Sequence, residues 1–155
     1  MYEPTELEFS FLAGIIEGEG CVYIGSHSQN AATGANYFVT AIQVVNTDER
    51  LIDWICKRFR GLKASYTRKQ IPKASRKMPY MWKITGKDVD WICEKCLPYM
   101  VAKRDQIEVM QEMRRTYLTH PSQREKTRAN GIQPLSQDLI DLRFSYLHKL
   151  RELRS

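Results

Sequence analysis

Two carboxylates, Glu17 and Glu19, close the run FLAGIIEGEG at residues 11–20. The end of a helix is a poor place for negative charge, because the macrodipole there is itself negative. Carboxylate oxygens are also hard ligands suited to a divalent cation. Gly14 and Gly18 stand four apart with Ala13 beside them, so one helix face is nearly bare backbone. Glycine inside a helix costs about 1 kcal/mol relative to alanine. That cost has a purpose if a second backbone must approach closely, as in helix pairs joined through small residues. The chain has one such segment, so the partner implied is a second copy, and Ala13, Gly14 and Gly18 are the expected dimer seam. A two-fold axis there would bring two Glu19 side chains together, where they repel unless a divalent cation bridges them.

The remaining reactive side chains are the cysteines Cys21, Cys56, Cys93 and Cys96. The CEKC pair has the spacing of half a zinc site, but Cys21 and Cys56 have no such neighbour to complete it. Cys93 and Cys96 also fall on the apolar stripe of Val89, Ile92 and Leu97, so buried thiols are the expectation.

The elements that must position these groups follow from periodicity. Residues 6–19 read as a helix capped by Thr5, and residues 22–28 and 37–45 alternate as an antiparallel hairpin. Val22 and Ile24 face one way, with Tyr23, His27 and Gln29 opposite; Phe38, Ile42 and Val44 oppose Tyr37, Val39, Ala41 and Gln43. A helix follows, opened by Thr47 or Asp48, closed by Gly61 and carrying Leu51, Ile55, Phe59 and Leu62 on its apolar stripe. A second strand pair, ASYTRKQ and PYMWKIT, flanks a basic loop. Helices are expected at 87–97, 103–118 and 135–153, the last with the stripe Leu135, Leu139, Leu142, Tyr146, Leu150 and Leu153. The order αββαββα with helical tail implies an α+β fold: a four-stranded antiparallel sheet with helices on one face and C-terminal helices. Residues 1–118 form the expected core domain, and 119–155 a basic linker and a helix packed on that domain.

The chain has 155 residues, 43% hydrophobic and 27% charged, enough for a domain with a real core. Its apolar stretches fall far short of the roughly 20 residues that span a bilayer. The N-terminus is acidic and has neither transit-peptide nor secretory character, so an intracellular protein is expected, of organellar (chloroplast or mitochondrial), bacterial or phage origin. Net charge is +6, and its distribution is uneven. Residues 57–87 hold eleven Lys/Arg and no acid, whereas residues 22–47 hold no Lys, Arg, Asp or Glu. A basic segment beside an uncharged, amide-rich one suits a polyanion read in detail, against the plainer reading of a solvated basic face.

At Leu12-Ala13-Gly14-Ile15-Ile16-Glu17-Gly18-Glu19-Gly20 the chain resembles the nine-residue signature of the LAGLIDADG homing endonucleases, with glutamate at both acidic positions. One copy in a short chain is similar to the single-motif, homodimeric members. The resemblance runs from about Leu7 to Leu118 in element order. It implies a saddle-shaped fold with its sheets in the DNA major groove and the motif helices at the dimer axis. By the same resemblance Glu19 coordinates the catalytic Mg2+, with the Gly18 carbonyl as a further ligand, and Ca2+ supports binding without cleavage. Glu17 is read as structural. Asn46 and Arg50 match the positions of a water-organising amide and a basic residue, and Lys103 that of an active-site lysine.

Base readout is expected from His27, Gln29, Tyr37 and Gln43 on the first hairpin and from Tyr66, Arg68 and Gln70 on the second. Lys73, Arg76 and Lys77, with Arg124, Lys126 and Arg128, are expected at phosphates. The function implied is a metal-dependent double-strand DNA endonuclease acting as a homodimer on a long pseudo-palindromic site. The alternatives are a group I intron RNA-splicing maturase, with intron RNA as partner, or a catalytically inactive DNA-binding protein on the same fold.

Overall fold

The computed structural model describes residues 1–28, 36–65, 77–119, 126–127, 131–132 and 136–155. The elements are α1 (Glu6–Glu19), β1 (Gly20–Ser28), β2 (Asn36–Asn46), α2 (Glu49–Arg58), β3 (Leu62–Ser65), β4 (Tyr80–Thr85), α3 (Lys87–Cys96), α4 (Arg104–Thr119), β5 (Lys126–Thr127), β6 (Gly131–Ile132) and α5 (Gln137–Arg154). The first four strands form an antiparallel sheet in the order β1-β2-β4-β3, and β5 and β6 pair separately. The fold is α+β, as the periodicity predicts.

Helix α1 starts where Thr5 predicts it. Its hydroxyl accepts from Glu8 N, and the Glu8 carboxylate accepts from Thr5 N at 2.8 Å, a reciprocal capping box. The helix stops at Gly20, whose backbone is extended. A Cβ there would lie 2.6 Å from the Ile16 Cα, so the abrupt helix-to-strand junction requires glycine. Phe9, Leu12, Ala13 and Ile16 are buried in the chain's own core. Ala13 is 0% exposed, so it cannot belong to a subunit seam: it lies about 100° around the helix from Gly14. The open face is instead Leu7, Phe11, Gly14 and Gly18, and nothing approaches the Cβ directions of the two glycines within 4 Å.

Two compact units can be distinguished, one of residues 1–22 and 41–104, the other of 23–40 and 105–155. In the first, α2 and α3 pack on β4, and α3 also packs on α1. Register places Ile42 opposite Ile84 and Val44 opposite Trp82, all four buried. The opposite face carries Gln43, Val45, Met81 and Lys83. Ala41, expected on that exposed face, is nevertheless fully buried. Trp82 donates its indole N–H to the Arg60 carbonyl, and Gly61, at φ 126°, sits against the same indole. Leu62 is 73% exposed at the start of β3, and Ile52 replaces it in the α2 core stripe, because the helix ends at Arg58. Cys93 and Cys96 are both buried; the Cys96 thiol donates to the Phe9 carbonyl, and burial pushes its pKa up to about 12.

In the second unit, α5 is capped by Ser136 and buries Leu139, Arg143, Leu147 and Leu150. The expected stripe of Leu142 and Leu153 is 40% and 39% exposed. A buried arginine in the true stripe displaced the reading by one residue; Leu135 lies outside the described residues. Arg143 donates Nε–H to Thr116 and stacks 4.0 Å over Tyr117, while Arg114 donates to Thr40 and the Tyr117 hydroxyl to the Phe38 carbonyl. Burial pushes the Tyr117 pKa up and that of Arg143 down. Among the described residues no helix is long and apolar enough to cross a membrane.

Candidate active site at the end of the first helix

Glu19 is the last residue of α1 and Asn46 the last of β2. The strand brings the Asn46 amide against the exposed Glu19 carboxylate, and Nδ2–H donates to Glu19 Oε2. The amide is oriented by its other end, since Asn46 Oδ1 accepts from Asp48 N at 2.7 Å. Asp48 caps α2 by accepting from Arg50 N at 3.0 Å. The same carboxylate accepts from Arg50 Nε at 3.0 Å and from Nη2 at 2.6 Å. Hydrogen bonds from the Arg50 side chain and backbone hold the Asp48 pKa down to about 2, against partial desolvation, and the positive field of Lys77 adds to them. The Arg50 pKa is raised in turn by Asp48.

The second acid of the run behaves differently. Glu17 accepts three backbone N–H groups, from Val101 at 2.9 Å, Ala102 at 2.8 Å and Lys103 at 3.0 Å. Burial opposes its ionisation, but those donors outweigh it and lower its pKa. The turn so held delivers Lys103, whose ammonium donates to the carbonyls of Ile16 at 2.7 Å and Gly20 at 2.6 Å. A cation therefore caps the carbonyl end of α1, where the dipole favours it. The end of α1 tolerates two acids because one is bound by backbone donors and an ammonium lies between the carbonyls.

Glu19 also lines an open groove with Leu7, Phe11, Gly14, Gly18 and Leu51. The Gly18 carbonyl is among the last four of α1, which have no donor within the helix. These are hard oxygen donors that fit Mg2+ or Ca2+. Among the described residues no group of three or more His, Cys, Asp or Glu could hold a metal ion.

Gly18 and Glu19 lie at this helix end, Asn46 bonds to Glu19 and Lys103 to the flanking carbonyls, and Arg50 is linked to Asn46 only through Asp48. His27 is exposed on β1 and Gln43 half-exposed on β2, while Lys77 is exposed ahead of β4. Gln29, Tyr66, Arg68, Gln70, Lys73, Arg76, Arg124 and Arg128 lie outside the described residues, and Tyr37 and Lys126 are described only in their backbone. Among the described residues, three bases of the basic segment are already paired. Arg58 pairs with Glu8 at 2.7 Å, Arg60 with Asp88 at 2.8 Å, and Lys63 with both Glu49 and Asp53. Sequence reading missed Lys83, which stands opposite Gln43 and Leu62 on the outward sheet face. The alternation of Met81, Lys83 and Thr85 with Trp82 and Ile84 was the available signal.

No family model and no curated protein matches the sequence. Solved structures do. The chain superposes on the homing endonuclease I-CvuI, in complex with its target in the presence of Ca, with a TM-score of 0.71 at 15% identity, covering 96% of this chain and 82% of that one. It matches the archaeal intron-encoded homing endonuclease I-Vdi141I, complexed with DNA, with a TM-score of 0.68 at 12% identity, over 96% and 84% of the two chains. It also matches the DNA-bound LAGLIDADG homing endonuclease I-LtrWI with a TM-score of 0.67 at 16% identity, but over only 46% of that chain. The chain has the fold of the LAGLIDADG homing endonucleases.

Proposed function

We propose that this protein is a Mg2+-dependent, site-specific double-strand DNA endonuclease acting as a homodimer on a long pseudo-palindromic site. The observation that carries the reading is the exposed Glu19 carboxylate, held by Asn46 at the mouth of a glycine-faced groove. In a dimer seated on that groove, Glu19 and the Gly18 carbonyl of each copy would hold metal beside the phosphate. The metal supplies activated water and stabilises the leaving 3′ oxygen.

The chain's own residues do the rest. Asn46 fixes the Glu19 carboxylate with one amide hydrogen and keeps a second for water. Arg50 offsets developing charge on the phosphate. The Lys103 ammonium reaches the carbonyl of Gly20, the residue after Glu19, and with two of its three N–H bonds given to carbonyls it keeps one for the water or phosphate. The outward residues of β2 and β4, Gln43 and Lys83, are suited to base edges in the major groove, and Lys77 to phosphate.

The dimer reading rests on α1. Leu7 is 79% and Phe11 54% exposed beside Gly14 and Gly18, an apolar face that a lone helix would not present to water without reason. The test is selection from a randomised duplex library in Mg2+, with sequencing of the cut ends. Recovery of one long, roughly symmetric site with 3′ overhangs supports the proposal. Tight binding in Ca2+ with no cut in Mg2+ points to a DNA-binding protein, and neither binding nor cutting leaves intron RNA as the ligand to test.

A further inference from the structure

Asp48 carries more than a helix cap requires. The other side-chain caps in the described structure are hydroxyls, Thr5 on α1 and Ser136 on α5, and each satisfies one backbone N–H. At α2 the cap is a carboxylate, which accepts the Arg50 backbone N–H and also grips the Arg50 side chain through Nε and Nη2. That bidentate grip leaves Nη1, the other corner of the guanidinium, directed to solvent on a side chain 91% exposed. Such an exposed pair contributes little to stability in water. It therefore has little value to the fold and more to where the guanidinium points.

Resting on the nuclease reading above, we propose that Asp48 is the positioning residue of Arg50, holding its guanidinium side-on so that Nη1 meets the scissile phosphate already oriented. In the free protein the grip biases the guanidinium toward this orientation, and the pair strengthens as DNA displaces water. The same residue aligns the neighbouring group, because its backbone N–H turns the Asn46 amide toward Glu19. Side-chain substitution separates the two tasks: the link to Asn46 is backbone and survives.

The test compares Asp48→Asn and Asp48→Ser, both good N-caps, with the unchanged protein on the selected duplex. Thermal melting and affinity in Ca2+ should stay near the unchanged values, while the single-turnover cleavage rate in Mg2+ falls roughly tenfold to a hundredfold. In an Arg50→Ala background, Asp48→Asn should cause no further fall. In the DNA-free protein, exchange of the Arg50 Nε–H with water, followed by NMR, should be faster in Asp48→Asn. Unchanged cleavage in both variants, an equal further fall without Arg50, or unchanged Nε–H exchange would overturn the proposal while the nuclease reading stands. An unsubstituted protein that cuts no duplex overturns the nuclease reading, and the positioning role with it.

Discussion

Glu17 and Glu19 are two residues apart and have opposite surroundings, which makes them a sharp test at the residue scale. Glu19→Gln keeps the shape of the side chain and removes the charge that would hold metal. Cleavage in Mg2+ should be lost, while binding in Ca2+ persists because affinity resides in basic and base-reading contacts. Full cleavage by Glu19→Gln would remove the metal assignment. Glu17→Gln should instead cost stability, on the order of 1–3 kcal/mol, since three backbone donors lose their charged acceptor. The sign with pH follows from the lowered pKa of Glu17. Its contribution is complete above the unfolded carboxylate range and is lost as pH falls through the lower folded value. Melting of the two proteins should therefore differ at neutral pH and converge in acid; a constant difference would contradict the backbone-anchor role.

At the scale of the element, α1 has two apolar faces with different fates. Leu12, Ala13 and Ile16 are used inside the chain, and Leu7, Phe11, Gly14 and Gly18 are left open. A Cβ at Gly14 would meet nothing within 4 Å in a single chain, and leucine replaces a poor helix former there. The monomer should fold at least as stably as before, yet sediment as a monomer and lose double-strand cleavage. A Gly14→Leu protein that remains dimeric and active would exclude α1 as the seam. Gly20→Ala gives the contrasting result, because its Cβ would strike the Ile16 backbone at 2.6 Å. It should destabilise the fold itself, visible as a lower melting temperature.

Charge is the property of the whole molecule that bears on the proposed contact with DNA. The net charge of +6 suggests a broad basic surface, but Arg58, Arg60 and Lys63 are already matched by acids from elsewhere in the chain. Lys63→Ala should leave the salt dependence of DNA binding unchanged. Lys77→Ala should lower that salt slope by about one. Lys83→Ala should relax preference at one base pair, at a cost of about 1–3 kcal/mol. Binding across a panel of site variants at several salt concentrations separates these outcomes. A uniform loss for Lys83→Ala would place it at phosphate instead.

Local rules determined much of this protein from sequence. Thr5 specifies a helix start, and alternation over 37–45 specifies a half-buried strand, because neighbouring residues suffice to satisfy or expose these groups. The motif pointed to the end of α1 as the candidate site for the same reason: its residues are consecutive. Tertiary structure decided what depends on distant partners. It put Ala13 in the core rather than at a seam, a matter of which way the helix is turned against α3. Arg143 became a core residue because Thr116 and Tyr117 receive it, and no pattern within α5 announces that. Three backbone amides from residues 101–103 anchor Glu17, and Lys103 returns to the carbonyls of α1. Those contacts join groups more than eighty residues apart, so only the folded chain could show why two acids can end this helix.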